Sequence, residues 1–291
     1  CLNMQEFKTV LDLIRIRQWY KNVIIFLPLV FSFQFLIFDS LIDTILGCIA
    51  LCLVSGATYI FNDIKDVEAD RIHPGKKNRP LAKNYITKNQ AIVILSIFLI
   101  SGLILALILD WQFCAILFLL LINTILYSFW TKNIVFFDIF SIGLNFVLRV
   151  ISGIVLLSTE FSPWVIGGVF LVALFLGFVK RKNELQVLEN TASQHRKTLN
   201  AYTISSLNKI LIVTSVLVIT IYSMYVFIDN PTNDFRLSFT IPLVIFIVVR
   251  QLHLSNKASI KNKFSEVISD IPTLSAVLAY IVFTLFLFYF M

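Results

Sequence analysis

Four oxygen-bearing side chains lie close together in the first third of the sequence and could hold a metal ion. They are Asn62, Asp63, Asp66 and Asp70. On a helix, which turns about 100° per residue, these side chains share an arc of about 100°. Carboxylates on one face repel each other unless a cation lies between them. Mg²⁺ prefers oxygen ligands, so the spacing predicts a magnesium site at Asp63, Asp66 and Asp70, with Asn62 orienting the cluster.

A basic run follows the acidic cluster directly. It contains Arg71, His73, Lys76, Lys77 and Arg79. An acidic cluster beside a basic loop suits a metal-bound diphosphate, because the metal bridges phosphate oxygens while the cations neutralise the rest. Two simpler interpretations remain open. The acids could pair with Lys65 and Arg71 at a solvated helix end, and the basic residues could contact lipid headgroups. His73 has no second His or Cys nearby and is not interpreted as a zinc ligand.

The elements that carry these residues are apolar and long. Hydrophobic residues make up 58% of the 291 residues and charged residues 14%, against about a half and a quarter in soluble domains. A membrane-spanning helix needs about 20 apolar residues. Suitable segments are 23–38, 41–61, 91–109, 111–130, 134–157, 163–180, 207–228, 237–254 and 273–291. These segments are too long for membrane strands, and their apolar residues do not alternate with polar ones. The sequence therefore predicts an all-α polytopic membrane protein with about nine transmembrane helices, forming one catalytic domain over residues 1–291.

The charges give the orientation of these spans. All but two of the 24 Lys and Arg residues fall on one set of connections, the exceptions being Arg149 and Arg236. The positive-inside rule makes that side cytoplasmic. The acidic cluster is on the same side, so we expect the active site on the cytoplasmic face of the membrane. The net charge of +7 is attributed to this bias and to anionic headgroups, and nucleic acid is excluded as a partner.

The pattern Asn-Asp-x-x-Asp-x-x-x-Asp at residues 62–70, followed by Arg79-Pro80, resembles that of the UbiA superfamily of intramembrane prenyltransferases. The resemblance implies a UbiA-like helical bundle whose acids hold Mg²⁺ and a diphosphate substrate. Further segments are similar to the branch of decaprenyl-phosphate phosphoribosyltransferases. They are Arg15 to Asn22, His73-Pro74 within the motif region, Tyr127-Ser128 with Lys132, Asp138 to Arg149, Ser162-Pro163-Trp164 and Lys180 to Leu185.

One departure from the superfamily pattern bears on the substrate. Classical members of the superfamily carry a second Asp-rich motif in the loop after the sixth span. Here that segment begins Lys180-Arg181-Lys182-Asn183-Glu184, and residues 181–206 contain no Asp. A cationic second site suits a sugar donor with an extra phosphate. We therefore expect Mg²⁺-dependent transfer of a 5-phosphoribosyl group from phosphoribosyl pyrophosphate to a polyprenyl phosphate, releasing pyrophosphate and giving a cell-envelope precursor. The expected substrate-binding residues are Lys21, Asn62, Lys77, Arg79, Tyr127, Lys132, Arg149, Lys180, Arg181 and Glu184.

Several alternatives stay open. Arg149 shares a helical stripe with Asp138 and Asn145, and this stripe could contact substrate or only tie helices together. Lys180 and Glu184 could form a simple i,i+4 ion pair. A UbiA-type prenyltransferase, moving a polyprenyl chain from its diphosphate to an aromatic acceptor, would use the same metal site. A non-enzymatic lipid transporter is the second alternative, and the oligomeric state is left open.

Overall fold

The computed structural model describes residues 4–72, 75–160, 162–188, 201–229, 235–257 and 270–290. Within these ranges all regular structure is helical. The α-helices are α1 (Met4–Leu13), α2 (Phe26–Phe31), α3 (Phe38–Ile72), α4 (Lys88–Leu109), α5 (Trp111–Phe129), α6 (Phe137–Leu156), α7 (Pro163–Leu188), α8 (Ile204–Ile228), α9 (Ile241–Lys257) and α10 (Ile271–Phe290). Short 3₁₀ segments cover Ile16–Ile25, Thr131–Asn133 and Phe235–Thr240.

Eight helical spans of the described chain are long and apolar enough to cross a membrane. They correspond to α3 to α10, and the span of α9 includes the 3₁₀ segment Phe235–Thr240 before it. The predicted all-α polytopic fold is confirmed. The segment 23–38, predicted as a ninth span, differs: a 3₁₀ segment runs into the six-residue α2. Phe33 then adopts a left-handed backbone conformation (φ 61°) that ends the helical run before α3 begins.

The helix α3 carries the predicted acidic cluster at its far end. It has 35 residues and is therefore about 50 Å long. This exceeds the hydrocarbon core of a bilayer, which is about 30 Å thick. The apolar part of α3 can thus span the membrane while its last turns, which hold Asn62 to Asp70, extend past the apolar layer.

The described chain forms two compact units. The first comprises residues up to Ser128 together with Leu148–Thr159, and the second comprises Phe129–Val147 together with residues from Glu160 onward. In the first unit, side chains around the end of α1 and the start of α4 bury a core. Its members are Leu13, Ile14, Ile60, Leu81, Ile86 and Ala91. This core lies under the end of α3 and positions the acidic cluster.

The second unit is built around α7 and α8. Its core contains Ile139, Phe175, Phe178, Val179, Leu207, Leu211 and Val218. The helices α9 and α10 are tied by a paired contact in which Arg250 Nε and Nη2 donate to Asp270 Oδ2 and Oδ1 at 3.0 and 2.8 Å. The hydrogen bond from Arg250 holds the pKa of Asp270 well below its usual range. Asp270 also accepts from the backbone N–H of Thr273 and caps the start of α10.

Close packing in the first unit depends on Gly153 of α6. A Cβ at this position would lie 2.5 Å from the carbonyl oxygen of Ile25, which is backbone and cannot rotate away. We predict that Gly153→Ala lowers the free energy of unfolding by about 1–3 kcal/mol. The matched control is Gly168→Ala, because a Cβ there has its nearest neighbour, Ile221, at 3.7 Å. Unfolding in SDS followed by circular dichroism measures the difference, and equal midpoints for the two variants would contradict the prediction.

Candidate active site

The predicted acidic cluster occupies the last turns of α3, which is one continuous helix across it. Asp63 and Asp70 are buried, with 1% and 2% of their surface exposed. Asn62 and Asp66 are half-buried. Two carboxylates are therefore held away from water at the end of an apolar helix. Such a position is costly for a charged group unless cations compensate it.

Arg79 supplies that compensation to both buried carboxylates. Its Nη1 donates to Asp63 Oδ1 at 3.1 Å and to Asp70 Oδ2 at 2.5 Å. The ammonium of Lys76 lies 3.8 Å from Asp70 Oδ1. The side chains of Asp63 and Asp70 come from two helical turns apart, yet they converge on a single cationic atom. The sequence placed Arg79 beside the cluster, and the structure brings it into the cluster.

Arg15 is a member of the cluster that the sequence analysis placed in a family-like segment but did not predict as a site residue. Its Nη2 donates to Asp63 Oδ1, and its guanidinium lies 5.1 Å from the centroid of the Tyr59 ring. The backbone of Arg15 is left-handed (φ 51°) and leads into the 3₁₀ segment. A left-handed non-glycine residue is uncommon and has no sequence signature here. Nothing in the spacing of the basic residues therefore distinguished Arg15 from its neighbours.

Asn62 is anchored to the end of α5. Ser128 Oγ donates to Asn62 Oδ1 at 2.5 Å, and Lys65 Nζ donates to the Ser128 carbonyl oxygen at 2.6 Å. These contacts fix the rotation of α3 about its axis beside the acids. Tyr127 precedes Ser128 and is half-buried.

The position of the two buried carboxylates suits a divalent cation. Asp63 and Asp70 already converge on a positively charged atom, Nη1 of Arg79, so a metal ion could take a comparable place between them. Mg²⁺ usually binds one or two carboxylates and completes its shell with water and phosphate oxygens. Among the described residues, no group of three or more His, Cys, Asp or Glu side chains is arranged to hold a metal. The three-carboxylate ligand set, which includes Asp66, stays a prediction.

The other predicted residues of the first unit differ in burial and in their contacts. Arg71 donates to both carboxylate oxygens of Glu68 at 2.9 and 3.0 Å, so its side chain serves the opposite face of α3. Lys77 is exposed and Lys21 is half-buried. His73 and Pro74 lie outside the described residues.

Arg149 lies inside the first unit, where only 8% of its surface is exposed. Its Nε donates to Asn22 Oδ1 at 2.8 Å. The predicted burial of this charge inside the helices is confirmed. Its role as a substrate contact stays a prediction, because this hydrogen bond also suits a network that ties helices together.

In the second unit, Arg181 forms a buried ion-pair network. Arg181 Nε donates to Asp138 Oδ2 at 3.0 Å, and Nη1 donates to Glu184 Oε2 at 2.5 Å. Glu184 also lies 3.9 Å from the Lys180 ammonium. Arg181 and Asp138 are almost completely buried, whereas Lys180 and Glu184 are half-buried. Lys132, also of this unit, is half-buried. The ion pairs give Arg181 and Glu184 a structural role, and phosphate binding by the segment stays a prediction.

Burial separates the expected effects of two substitutions in this network. Arg181→Met leaves the buried Asp138 without its Arg181 partner and should cost about 3–5 kcal/mol of stability. Lys180→Met removes a half-exposed contact and should change stability by less than about 1 kcal/mol. SDS unfolding monitored by circular dichroism compares the variants. Indistinguishable midpoints would mean that the Asp138 pair contributes no more than the exposed one.

Comparison with known proteins decides the family. A sequence model described as the UbiA prenyltransferase family matches residues 25–271. The chain belongs to the UbiA prenyltransferase family. The predicted resemblance is thereby confirmed, and this UbiA-family chain is a polytopic membrane protein of a transferase superfamily.

Two curated relatives and one solved structure extend the comparison of this UbiA-family chain. It is 36% identical over 190 residues to the uncharacterized protein y4nM of Sinorhizobium fredii; the match covers 65% of the chain and 36% of that relative, so the chain spans about a third of its length. It is 27% identical over 225 residues to a decaprenyl-phosphate phosphoribosyltransferase of Mycolicibacterium smegmatis, covering 76% and 71%. A UbiA homolog from Archaeoglobus fulgidus, solved with GPP and Mg²⁺, has a TM-score of 0.74 over 95% of this chain and 98% of its own, at 18% identity. That likeness shows a shared fold.

Proposed function

We propose that this UbiA-family protein transfers a 5-phosphoribosyl group from phosphoribosyl pyrophosphate to a polyprenyl phosphate, with Mg²⁺ as cofactor. The observation that carries the proposal is the pair of buried carboxylates, Asp63 and Asp70, that share Arg79. Cations and carboxylates alternate within one small volume there. Such a mixture suits a metal-bound diphosphate, whose oxygens contact both the metal and positively charged side chains.

The choice of donor is supported by the residues at the end of α7. A prenyl diphosphate held by a second metal would need further acids, and this segment supplies Lys180, Arg181 and Lys182 with Glu184 as its acid. Arg181 and Lys182 are buried and donate to Asp138 and Asn256, whereas Lys180 is half-buried. Phosphoribosyl pyrophosphate carries a 5-phosphate that suits a cation such as Lys180. The similarity to the Mycolicibacterium smegmatis phosphoribosyltransferase agrees with this choice.

In the proposed reaction, the bond between the anomeric carbon and a pyrophosphate oxygen breaks, and an oxygen of the polyprenyl phosphate bonds to that carbon. Pyrophosphate leaves with the bonding electrons. The acceptor phosphate is already an anionic nucleophile, so the step needs no strong general base. Mg²⁺, held by Asp63 and Asp70 with Asp66, would neutralise charge on the leaving pyrophosphate.

Arg15 and Arg79 have enough N–H groups to bind the donor as well as the carboxylates. A guanidinium carries five N–H groups in a planar fork that suits phosphate oxygens. Only some of these donors are used on the carboxylates in the contacts of Arg15 and Arg79. We assign both side chains to the donor diphosphate. The carboxylates would also stabilise positive charge that develops at the anomeric carbon in the transition state.

The bilayer determines where the two substrates would reach the protein. The polyprenyl tail would lie among the apolar helices, and the water-soluble donor would enter from the cytoplasmic face of the bacterial inner membrane, where the basic connections point. Further candidate contacts are Lys21, Asn62, Lys77, Tyr127, Lys132, Arg149, Lys180, Arg181 and Glu184.

Labelled donor gives the direct test of this function. The purified protein in detergent is incubated with ¹⁴C-labelled phosphoribosyl pyrophosphate, polyprenyl phosphate and Mg²⁺. We expect label in the lipid extract, and EDTA should abolish its appearance. The second candidate function is prenyl transfer to an aromatic acceptor, which the match to the UbiA prenyltransferase family model supports. Activity with a prenyl diphosphate and an aromatic acid, and none with labelled donor, would favour it.

A further inference from the structure

A line of polar side chains runs from the acidic cluster back into the apolar part of α3. Cys52, Ser55 and Tyr59 fall within an arc of about 80° that also contains Asp63, Asp66 and Asp70. Ser55 precedes Asp63 by eight residues, so it lies about 12 Å deeper along the helix axis. One face of α3 is therefore polar well beyond the metal-site residues.

A buried polar group surrounds the deep end of this line. Asn22 connects the side chains of this polar group. Its Oδ1 accepts from Arg149 Nε at 2.8 Å and from Ser55 Oγ at 3.4 Å, and its Nδ2 donates to Cys52 Sγ at 3.3 Å. Asn22 and Ser55 are almost completely buried, with 1% and 3% of their surface exposed. An ionisable side chain such as Arg149, so deep within membrane helices, is by default a candidate for a functional site, because such residues line substrate pathways and pair with polar groups there.

An apolar cavity begins at this polar group. Its volume is about 210 Å³, and its lining includes Trp19, Phe26, Ile45, Cys48, Ile49 and Cys52. Cys52 therefore belongs both to the cavity wall and to the hydrogen-bond network of Asn22 and Arg149. An apolar cavity of about 150 Å³ holds a benzene molecule, so this one has room for a five-carbon isoprene unit.

We propose that these two features form the acceptor subsite, with the lipid phosphate at Arg149 and Asn22 and the first isoprene unit in the cavity. A polyprenyl phosphate combines the required parts, since an anionic head is joined directly to an apolar branched chain. The head would lie about 12 Å below Asp63 along α3, a gap that the diphosphate and pentose of the donor can fill. The identity of the acceptor rests on the proposed function, whereas the existence of the subsite rests on the apolar cavity and the nearby Arg149.

Alkylation of Cys48 tests the subsite without any catalysis. The purified protein, with Cys1→Ser to remove an unrelated thiol, is treated with N-ethylmaleimide, and each cysteine is quantified by mass spectrometry. Polyprenyl phosphate at ten times its Kd should slow the alkylation of Cys48 about tenfold. Cys114 is the internal control, because it lines a separate apolar groove with Leu107, Trp111 and Phe118. Its alkylation rate should not change.

The neutral analogue separates phosphate binding from a structural role of Arg149. Polyprenol should protect Cys48 only at a concentration about tenfold higher or more, because it lacks the charge-assisted contact. Arg149→Gln should weaken protection by the phosphate lipid to the level of polyprenol and leave protection by polyprenol unchanged. A residue that only ties helices together would alter protection by both lipids equally. Should Arg149→Gln fail to fold, Ile45→Trp, which fills the cavity, should abolish protection by either lipid.

Three results would overturn the subsite. The first is no protection of Cys48, and the second is equal protection by polyprenol and polyprenyl phosphate in the unsubstituted protein. The third is equal protection by phosphatidic acid, which would indicate that the site binds a bilayer phospholipid. Because the assay contains no donor, its outcome is independent of the donor assignment. Protection of Cys48 together with failed phosphoribosyl transfer would refute the donor and retain the acceptor subsite. Successful transfer without protection would refute the subsite alone.

Discussion

Asp63→Asn should reduce phosphoribosyl transfer by about 10²–10³-fold, in the range observed when one preorganised electrostatic contact of an active site is removed. Asp63 is buried and receives hydrogen bonds from Arg15 and Arg79. The amide cannot balance these cations, and it is a poorer ligand for Mg²⁺ than a carboxylate. Initial rates of label transfer to the lipid phase, measured at saturating donor and acceptor, give the effect on kcat.

The matched control is Glu68→Gln, on the same helix and five residues further on. The Glu68 side chain is 78% exposed and pairs with Arg71, on a face of α3 away from the acidic cluster. This substitution removes the same charge and should leave transfer within about twofold, because an exposed ion pair contributes little. Equal activity of Asp63→Asn and Glu68→Gln would show that the buried carboxylate has no role in the reaction.

Arg79→Ala should lower both activity and stability, and Mg²⁺ should restore only the stability. Without Arg79, the buried carboxylates of Asp63 and Asp70 lose the cation that they share. Breaking a buried ion pair by removing one partner costs about 3–5 kcal/mol. A divalent ion that binds between the two carboxylates would compensate the lost charge in the folded state. The unfolding temperature of Arg79→Ala should therefore rise more steeply with Mg²⁺ than that of the unsubstituted protein, while transfer stays about 10²-fold slower.

Lys83→Ala is the control for Arg79→Ala, since Lys83 is an exposed cation of the same connection and lies over the Tyr85 ring at 5.6 Å. Its unfolding temperature should respond to Mg²⁺ as the unsubstituted protein does. If Mg²⁺ shifted all three proteins equally, the stabilisation would arise elsewhere and the assignment of a cation to the carboxylate pair would be wrong.

The sequence predicted the parts of the site that one helix determines. The spacing of Asn62, Asp63, Asp66 and Asp70 needs only the helical period to share a face, and α3 is continuous there. The burial of Arg149 followed from its place in an apolar segment. The positions of the spans followed from apolar length, with the exception of 23–38, where left-handed Phe33 interrupts the run.

Contacts between distant segments were beyond the sequence. Arg15 reaches Asp63 across 48 residues through a left-handed backbone conformation, and no periodicity encodes such a contact. The same holds for Arg181 and Asp138, which are 43 residues apart. The sequence placed Arg181 near a membrane boundary, where a cation could bind a substrate phosphate. It could not show that a buried carboxylate on α6 already accepts from it.

Binding of Mn²⁺, a paramagnetic substitute for Mg²⁺, tests most directly whether the pair of Asp63 and Asp70 is a metal–diphosphate site. Electron paramagnetic resonance measures free Mn²⁺ in a titration of the purified protein with and without phosphoribosyl pyrophosphate. We predict a site that tightens when the donor is present, that is lost in Asp63→Asn and that is retained in Glu68→Gln. Donor-dependent Mn²⁺ binding that persists unchanged in Asp63→Asn would contradict the account.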